Sequence, residues 1–329
     1  MTRKASEHQE RGFVLVVVLG AVLTLSALLL GFNRTARTRL DAAYNFCKAE
    51  QAWNHARAGL SIAVAAIGEV NDMTTEHLVS TWLGGQNSFD LGEGTCSVAI
   101  TDTSGLLNIN GLKDQSGRLD RKRIAQLLRL IDLLNRQRTT GRCMGYGVVP
   151  AIIDWTDADD EVTHLSFIKH ESMGAEGDYY RTCSPSYACR NKPMDTIDDL
   201  LWVKGMTPRA MTRLRELLTT FGEDKININA APKLIIECLS EHMDAALAQM
   251  VVNRRDVKPF DSVAELRDVP GMTDNIYQTL KDTVTVGSRR QHYRVTAEGR
   301  SENHSCTIEA LLRRNMRAGN VDILLYREL

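Results

Sequence analysis

Carboxylates are the side chains that this sequence concentrates most densely. Five of them fall within the eight residues DWTDADDE, namely Asp154, Asp157, Asp159, Asp160 and Glu161. Glu176 and Asp178 follow after a loop. Carboxylates held so close repel one another unless a cation or solvent separates them, and hard oxygen ligands at alternate positions suit Ca²⁺. The spacing therefore allows two interpretations, a calcium site or a solvated acidic loop.

Other chemistry is not indicated by these residues. The acidic loop is not an EF-hand, because Val162 stands where that motif needs glycine. Two carboxylates can serve as the acid and base of a glycosidase, but the chain has only four Trp and suggests no aromatic-lined cleft. The sequence also has no nucleophile motif, phosphate loop or nucleotide fingerprint. We therefore expect a protein that is not an enzyme.

The chain has seven cysteines, without the CxxC spacing of a zinc site. Disulfides are allowed if the domain lies outside the cytoplasm. Cys183 and Cys189 flank a short loop and are the best candidate pair, and Cys96 and Cys306, both in strand-like runs, are the second. Free and mostly buried thiols are an equally open interpretation.

A long helix is the first element that the sequence predicts. The stretch from Phe13 to Phe32 holds twenty residues without a charge, which makes about 30 Å of helix, enough to cross a bilayer core. Apolar residues recur at helical spacing as far as Val64, and residues 33–66 contain no proline. We predict one helix over 13–67, with 13–32 in the membrane and the second half packed on a sheet.

Strand-like segments flank a helical middle region. Residues 96–101 (CSVAIT) and the alternating stretch 283–312 favour strands, whereas 121–136 favours a strongly amphipathic helix. We predict an α+β fold with a leader at 1–12, the helix at 13–67, sheet residues at 68–111, an inserted α-helical domain at 112–224, and a return to the sheet domain at 225–329.

An internal repeat lies in and after the predicted insert. DTIDDLLWVKGMT, starting at Asp195, aligns with DSVAELRDVPGMT, starting at Asp261. Each copy has the pattern of a capped helix, a turn at glycine and a second helix, which is typical of a helix-hairpin-helix. Such hairpins bind DNA phosphates when basic residues surround the turn, so a membrane-anchored nucleic-acid-binding protein of the DNA-uptake type is the alternative function. The net charge of −1 argues against it.

The N-terminal junction resembles the type IV pilin-like family. A short basic leader with Arg3, Lys4 and Arg11 precedes Gly12-Phe13 and the apolar helix. That family usually carries Glu at the fifth position after the cut, where this chain has Val17. An uncleaved signal anchor is the alternative interpretation of the same segment. Within the family, the sequence is similar to the large minor pseudopilins, type II secretion system protein K. The matching features are the missing Glu, the helical insert, the DWxDxDD and GAExxYY motifs (154–160 and 174–180), the KGM hairpin and the INxN run at 226–229.

The resemblance implies a fold, a maturation step and a metal. It implies a pilin-like fold, a long helix on an antiparallel sheet, with helix-hairpin-helix-like (SAM-like) units in the inserted domain. It implies cleavage between Gly12 and Phe13 by prepilin peptidase, accompanied by methylation. It also implies Ca²⁺ in the helical insert, for which we expect these carboxylates as ligands, the first three ahead of the others: Asp157, Asp159, Glu176, Asp160, Glu161 and Asp178.

The resemblance also implies a place and partners. The expected protein spans the inner membrane once and holds its soluble domain in the periplasm. It caps the pseudopilus tip together with I-type and J-type minor pseudopilins, above the major pseudopilin. Contacts with a secreted substrate or with the outer-membrane secretin are further expectations, and no nucleic acid is expected.

Overall fold

The structure is a computed structural model that describes residues 3–69, 87–114, 116–136, 144–222, 224–287, 291–315 and 320–329. Its longest element is helix α1, Arg3–Gly68. The helix therefore begins within the predicted leader rather than at Phe13, and its end agrees with the prediction. Phe13–Gly68 is the one helix in the described part of the chain that is long and apolar enough to cross a membrane, and its most apolar stretch is entirely exposed.

The remaining elements are seven further α-helices and nine strands in the described part of the chain. The other α-helices are α2 Arg121–Arg136, α3 Val148–Thr156, α4 Gly177–Arg181, α5 Pro208–Leu214, α6 Lys233–Cys238, α7 Ala245–Val257 and α8 Asp274–Leu280. The strands are β1 Asn87–Asp90, β2 Thr95–Asp102, β3 Leu107–Asn108, β4 Leu218–Thr219, β5 Ile226–Asn227, β6 Val284–Thr285, β7 Gln291–Ser301, β8 His304–Asn315 and β9 Asn320–Glu328. Two 3₁₀ helices, Ile197–Trp202 and Val263–Asp268, open the two hairpins.

The second half of α1 packs on an antiparallel sheet. The strand order is β1-β2-β7-β8-β9, and the shared core holds Ala56, Ala63 and Ile67 of the helix against apolar residues of β2, β7 and β8. Gly299 of β7 makes the close approach possible, because a Cβ at this position would lie 2.1 Å from the carbonyl oxygen of Ala52. The predicted α+β, pilin-like fold is confirmed.

A second core belongs to the helical body. Its members run from Leu107 to Val284 and include the buried face of α2, the residues Ile124, Leu127, Leu130, Ile131 and Leu134. The amphipathic pattern predicted α2 with its observed bounds, because its apolar period matches the helical repeat over four turns.

The prediction that residues 226–231 return to the main sheet is wrong, because their strand β5 does not pair with a strand of that sheet. Strand β5 pairs in parallel with β6, as β3 does with β4, each in a separate two-stranded sheet. Ile226 and Ile228 lie in the helical core. The second hairpin therefore packs with the first, and only β7, β8 and β9 complete the main sheet after it.

An asparagine holds the first hairpin in place. Asn110 donates from Nδ2 to the carbonyls of Met194 and Thr220, at 2.9 Å each, and its Oδ1 accepts from the Met194 amide at 2.9 Å. One side chain thus satisfies the backbone on both sides of the hairpin.

The second hairpin has the same arrangement. Asn229 donates from Nδ2 to the carbonyls of Phe260 (3.0 Å) and Val286 (2.9 Å), and its Oδ1 accepts from the Phe260 amide at 2.9 Å. The two hairpin partners lie 66 positions after those of the first copy, which is the offset of the sequence repeat. Asn110 and Asn229 therefore have equivalent roles in the two copies of the repeat.

Charged side chains join the helical body to the sheet. Asp198, in the first 3₁₀ helix, forms ion pairs with Arg215 and with Arg327 of β9. Glu309 of β8 pairs with the same two arginines, at 3.6 Å from Arg215. Arg294 of β7 donates to the carbonyls of Arg215 and Leu218. These contacts fix the first hairpin onto three strands.

The predicted disulfides are not formed in this structure. Cys183 and Cys189 are free, because their thiols turn to different partners, the carbonyls of Tyr179 and Asp154, each at 3.7 Å. Cys96 and Cys306 are also free. Both lie opposite Gly299, on either side of β7, which separates them by two strand spacings, about 10 Å, beyond the reach of a disulfide.

Candidate metal centre

Three short segments meet at the acidic motifs. Helix α3 is buried over almost its whole length and ends at Thr156, and the amide of the next residue, Asp157, donates to the Ile153 carbonyl at 3.0 Å. The chain returns through an isolated bridge between His164 and Met173. Glu176 then stands at the N-terminal boundary of α4. The end of one helix and the start of another therefore present carboxylates to the same point.

Asp154, Asp157 and Glu176 form the centre of the site. Each offers a carboxylate oxygen, and these oxygens lie within 4.8 Å of one another. Asp154 is fully buried and Glu176 is 4% exposed, while the Asp157 side chain is 6% exposed. Three acidic groups thus share a space that solvent hardly reaches.

Most of the oxygens in this cluster have no hydrogen-bond partner. Asp154 accepts from the Thr163 amide with Oδ1 at 2.9 Å, and Asp157 accepts from Lys113 with Oδ2. Within the described residues, no donor reaches Asp154 Oδ2, Asp157 Oδ1 or either carboxylate oxygen of Glu176. Buried carboxylates are rarely left unpaired, because desolvation is costly. Four unpaired oxygens on three side chains form a donor set that fits a hard cation such as Ca²⁺.

The electrostatics of the cluster agree with this geometry. Burial, reinforced by the charges of Asp154 and Asp157, raises the pKa of Glu176 to about 7. Burial likewise raises the pKa values of Asp154 and Asp157, against the lowering effect of Lys113. The three groups therefore resist simultaneous ionisation unless positive charge is added between them.

Gly174 allows the two acidic motifs to touch. A Cβ at this position would lie 2.0 Å from Asp154 Oδ2 and 2.7 Å from the Pro150 carbonyl oxygen. The chain therefore needs glycine here to pass the end of α3. The carbonyl of Gly174 also accepts from Lys204 Nζ at 3.0 Å, which ties the loop to the first hairpin.

Aromatic rings form the wall behind the carboxylates. Trp155 lies edge-on to Tyr180, with ring centroids 4.9 Å apart, and Tyr180 contacts Tyr187 at 5.3 Å. Tyr187 in turn meets Trp202 of the first hairpin at 5.4 Å. This packing holds α3 and α4 in a fixed relation, and the cluster depends on that relation.

Only two of the six predicted ligands lie in the cluster, Asp157 and Glu176. Asp159 is 3.6 Å from Lys113, with a side chain that is 55% exposed. Asp160 accepts from Asn191 Nδ2 at 2.9 Å, and Glu161 is exposed. Asp178 points to solvent and pairs with Arg181. Asp159, Asp160 and Glu161 follow the end of α3, and Asp178 lies in the first turn of α4 on its exposed face.

Two residues of the cluster were missed by sequence reasoning. Asp154 belonged to the acidic motif but was not among the expected ligands. Its position between Ile153 and Trp155, in an otherwise apolar helix, is the signal that could have placed it in the core. Lys113 precedes the motif by more than forty residues, and no pattern in the sequence connects it to the carboxylates.

The basic residue nearest the turn of each hairpin is engaged within the protein itself. Lys204, beside the first turn, is engaged with the Gly174 carbonyl and lies over the Tyr179 ring at 5.0 Å. Arg267, in the second copy, stacks over the Tyr277 ring at 4.1 Å. Both cations stabilise the body itself, so the nucleic-acid alternative receives no support from them.

Comparison with known proteins identifies a single family. Residues 105–223 match the first domain, and residues 226–287 a further domain, of the family described as "Type II secretion system (T2SS), protein K". Together the two segments cover more than half of the chain. They coincide with the two hairpin-containing halves of the helical body.

Individual proteins show the same relationship. The chain is 24% identical to Type II secretion system protein K of Pseudomonas aeruginosa over 302 residues, 86% of either sequence. It is 21% identical to the protein of that name from Klebsiella pneumoniae, again with 86% of each covered. Its fold is similar to a chain in the crystal structure of the GspK-GspI-GspJ complex from the enterotoxigenic Escherichia coli Type 2 Secretion System. The TM-score is 0.66 at 19% identity, covering 89% of this chain and 99% of that one.

Proposed function

Because this chain belongs to the type II secretion system protein K family, we propose that it is a minor pseudopilin that caps the tip of the periplasmic pseudopilus and supports protein export across the outer membrane. The observation that carries the proposal is the family match over both halves of the helical body. The function is structural, since the chain acts through assembly and not through a reaction.

The shape of the molecule supports a terminal position. Helix α1 offers an exposed apolar segment at one end and carries the sheet and the helical body on the other. A body attached to the side of the pilin-like sheet leaves little room for another subunit above it. Val17 replaces the usual Glu, and a subunit without a neighbour above would gain nothing from a carboxylate that is costly to place in lipid.

The partners follow from the same analogy. The Escherichia coli protein of similar fold was crystallised in a complex with GspI and GspJ. We infer that this chain assembles with the corresponding I-type and J-type minor pseudopilins and stands above the major pseudopilin. Secreted substrate and the outer-membrane secretin are the contacts that a tip could make. Before assembly, α1 holds the protein in the inner membrane with its soluble part in the periplasm.

Calcium is the cofactor that we propose for the carboxylate cluster. Asp154, Asp157 and Glu176 would hold the ion through the oxygens that otherwise lack partners. The ion would supply the positive charge that lets all three carboxylates ionise together. Its role is to join the end of α3 to the start of α4, and hence to stabilise the first half of the helical body.

N-terminal sequencing of the protein from membranes tests the maturation step. We expect the mature chain to begin at Phe13, after cleavage by prepilin peptidase at Gly12. Gly12→Leu should retain Met1, whereas Gly20→Ala, in the same helix with nothing within 4 Å of an added Cβ, should still be processed. A wild-type chain that begins at Met1 and co-purifies with no other pseudopilin would contradict the proposal.

A further inference from the structure

Lys113 contacts the carboxylate cluster from a distant part of the sequence. It lies in the loop after β3, where its backbone pairs with Leu119 in an isolated bridge. Its ammonium binds Asp157 Oδ2 and lies 3.6 Å from Asp159 Oδ2. The Lys113 side chain is 23% exposed, so most of it is buried against the site. The loop is thus held where the charge of Lys113 acts on the centre.

Lys113 and a metal ion would use different oxygens of the same carboxylate. Asp157 gives Oδ2 to the ammonium, and its Oδ1 is buried without a partner. Lys113 makes no hydrogen bond to Asp154 Oδ2 or to either carboxylate oxygen of Glu176. The ammonium thus binds the one Asp157 oxygen that already has a partner, which leaves the four unpaired oxygens of the cluster to a cation.

The net charge of the site then matches a cation of one valence. Among the buried groups, ionised Asp154, Asp157 and Glu176 carry three negative charges and Lys113 returns one positive charge, which leaves two. Asp159, which also lies near Lys113, has a side chain that is 55% exposed, so solvent screens its charge. A divalent cation neutralises that remainder, whereas a trivalent cation exceeds it. Buried sites penalise residual charge of either sign, because little solvent screens it.

We propose that Lys113 is a specificity-determining residue that sets the charge of this centre for a divalent cation over a trivalent one. The inference rests on the proposed calcium site and explains why that site would prefer a divalent ion. Lys113 acts through Asp157 and is not itself a ligand. Removing its charge should leave a site with three uncompensated negative charges, which attracts a trivalent ion more strongly than before.

The test uses the full-length chain in detergent, with Tb³⁺ and Ca²⁺ as probes. Trp155 directly follows Asp154 in α3, so bound Tb³⁺ can be detected by luminescence excited through this indole. Competition with Ca²⁺ gives the ratio of the two affinities. The variants are Lys113→Met and Lys113→Gln, which remove the charge with different polarity. Lys113→Arg keeps the charge, and Lys122→Met removes one from an exposed position of α2.

We expect both neutral variants to raise the preference for Tb³⁺ over Ca²⁺ by roughly tenfold or more, the size expected for one unit charge a few ångströms from the ion in a partly screened site. Lys113→Arg and Lys122→Met should keep the wild-type ratio. If the neutral variants bind both ions more tightly by one common factor, Lys113 is a competitor for the ion's place and the inference is wrong. If the wild type binds neither ion, the calcium proposal itself fails, which is a distinguishable result.

Discussion

At the scale of single residues, three buried carboxylates with four unpaired oxygens destabilise the protein in the absence of a cation. An ion that binds only the folded chain stabilises it by about 2.7 kcal/mol when its concentration is about 100 times the dissociation constant. We expect calcium to raise the melting temperature of the wild type and not that of Asp154→Asn. Differential scanning calorimetry with and without calcium measures this.

Asp178→Asn is the control for that experiment. Asp178 was also expected as a ligand, but it points to solvent and pairs with Arg181, so its variant should retain the full calcium response. Loss of the response in Asp178→Asn together with its survival in Asp154→Asn would show that the ion lies elsewhere.

The pH dependence of stability is a second consequence at this scale. The pKa of Glu176 is raised to about 7 from its ordinary value of 4.5, so between these values the folded chain holds a proton that the unfolded chain has lost. Stability must then fall as pH rises through this window. The carboxylates of Asp154 and Asp157 and the ammonium of Lys113 face the same group, and burial raises the pKa values of both aspartates as well.

Urea unfolding in calcium-free buffer between pH 5 and pH 8 checks this prediction. The free energy of unfolding of the wild type should decrease across the range. Glu176→Gln keeps the shape of the side chain without its ionisation, so its curve should be flatter than that of the wild type. Parallel curves for the two proteins would show that Glu176 does not titrate in this window.

At the scale of elements, the two hairpins depend on equivalent asparagines. Asn110 and Asn229 each make three hydrogen bonds to the backbone of their own hairpin. Replacing either by alanine leaves part-buried backbone groups without partners. This should lower the free energy of unfolding by about 2–4 kcal/mol. Asn54→Ala, which removes one exposed bond within α1, should change stability by less than about 1 kcal/mol. Chemical denaturation of the three variants compares them directly, and equal effects would contradict the assigned role.

Elements differ in how far the sequence could predict them. Helix α2 was predicted with its observed bounds because a 3.6-residue apolar period persists over four turns. Strand β5 has two residues, too few for a period to indicate which sheet it joins, and its partner β6 lies 58 positions later. Half of the residues of the site could be predicted from the sequence. Local acidic motifs indicated Asp157 and Glu176, but burial of Asp154 and the contact of Lys113 depend on tertiary packing.

At the scale of the whole molecule, Asp198 connects the helical body to the sheet. It pairs with Arg215 and Arg327, and its side chain is 21% exposed. The second hairpin has Ala264 at the equivalent position, so this contact belongs to the first copy alone. Asp198→Ala removes one of the carboxylates that pair with two half-buried arginines. We therefore expect the free energy of unfolding to fall by about 1–3 kcal/mol.

Limited proteolysis and denaturation together test this connection. Cleavage between the first hairpin and β7 should become faster in Asp198→Ala, because the two cores would separate more easily. Asp261→Asn, whose exposed side chain pairs only with Lys258 among the described residues, should behave like the wild type. Unchanged proteolysis of Asp198→Ala would mean that apolar packing alone holds the two parts.

The central claim is that the chain stands at one end of the pseudopilus, and electron microscopy of isolated pseudopili labelled with an antibody against the helical body tests it most directly. The account predicts label at a single end of each filament, above the other minor pseudopilins. Label distributed along the filament length, at the density of the major subunit, would contradict it.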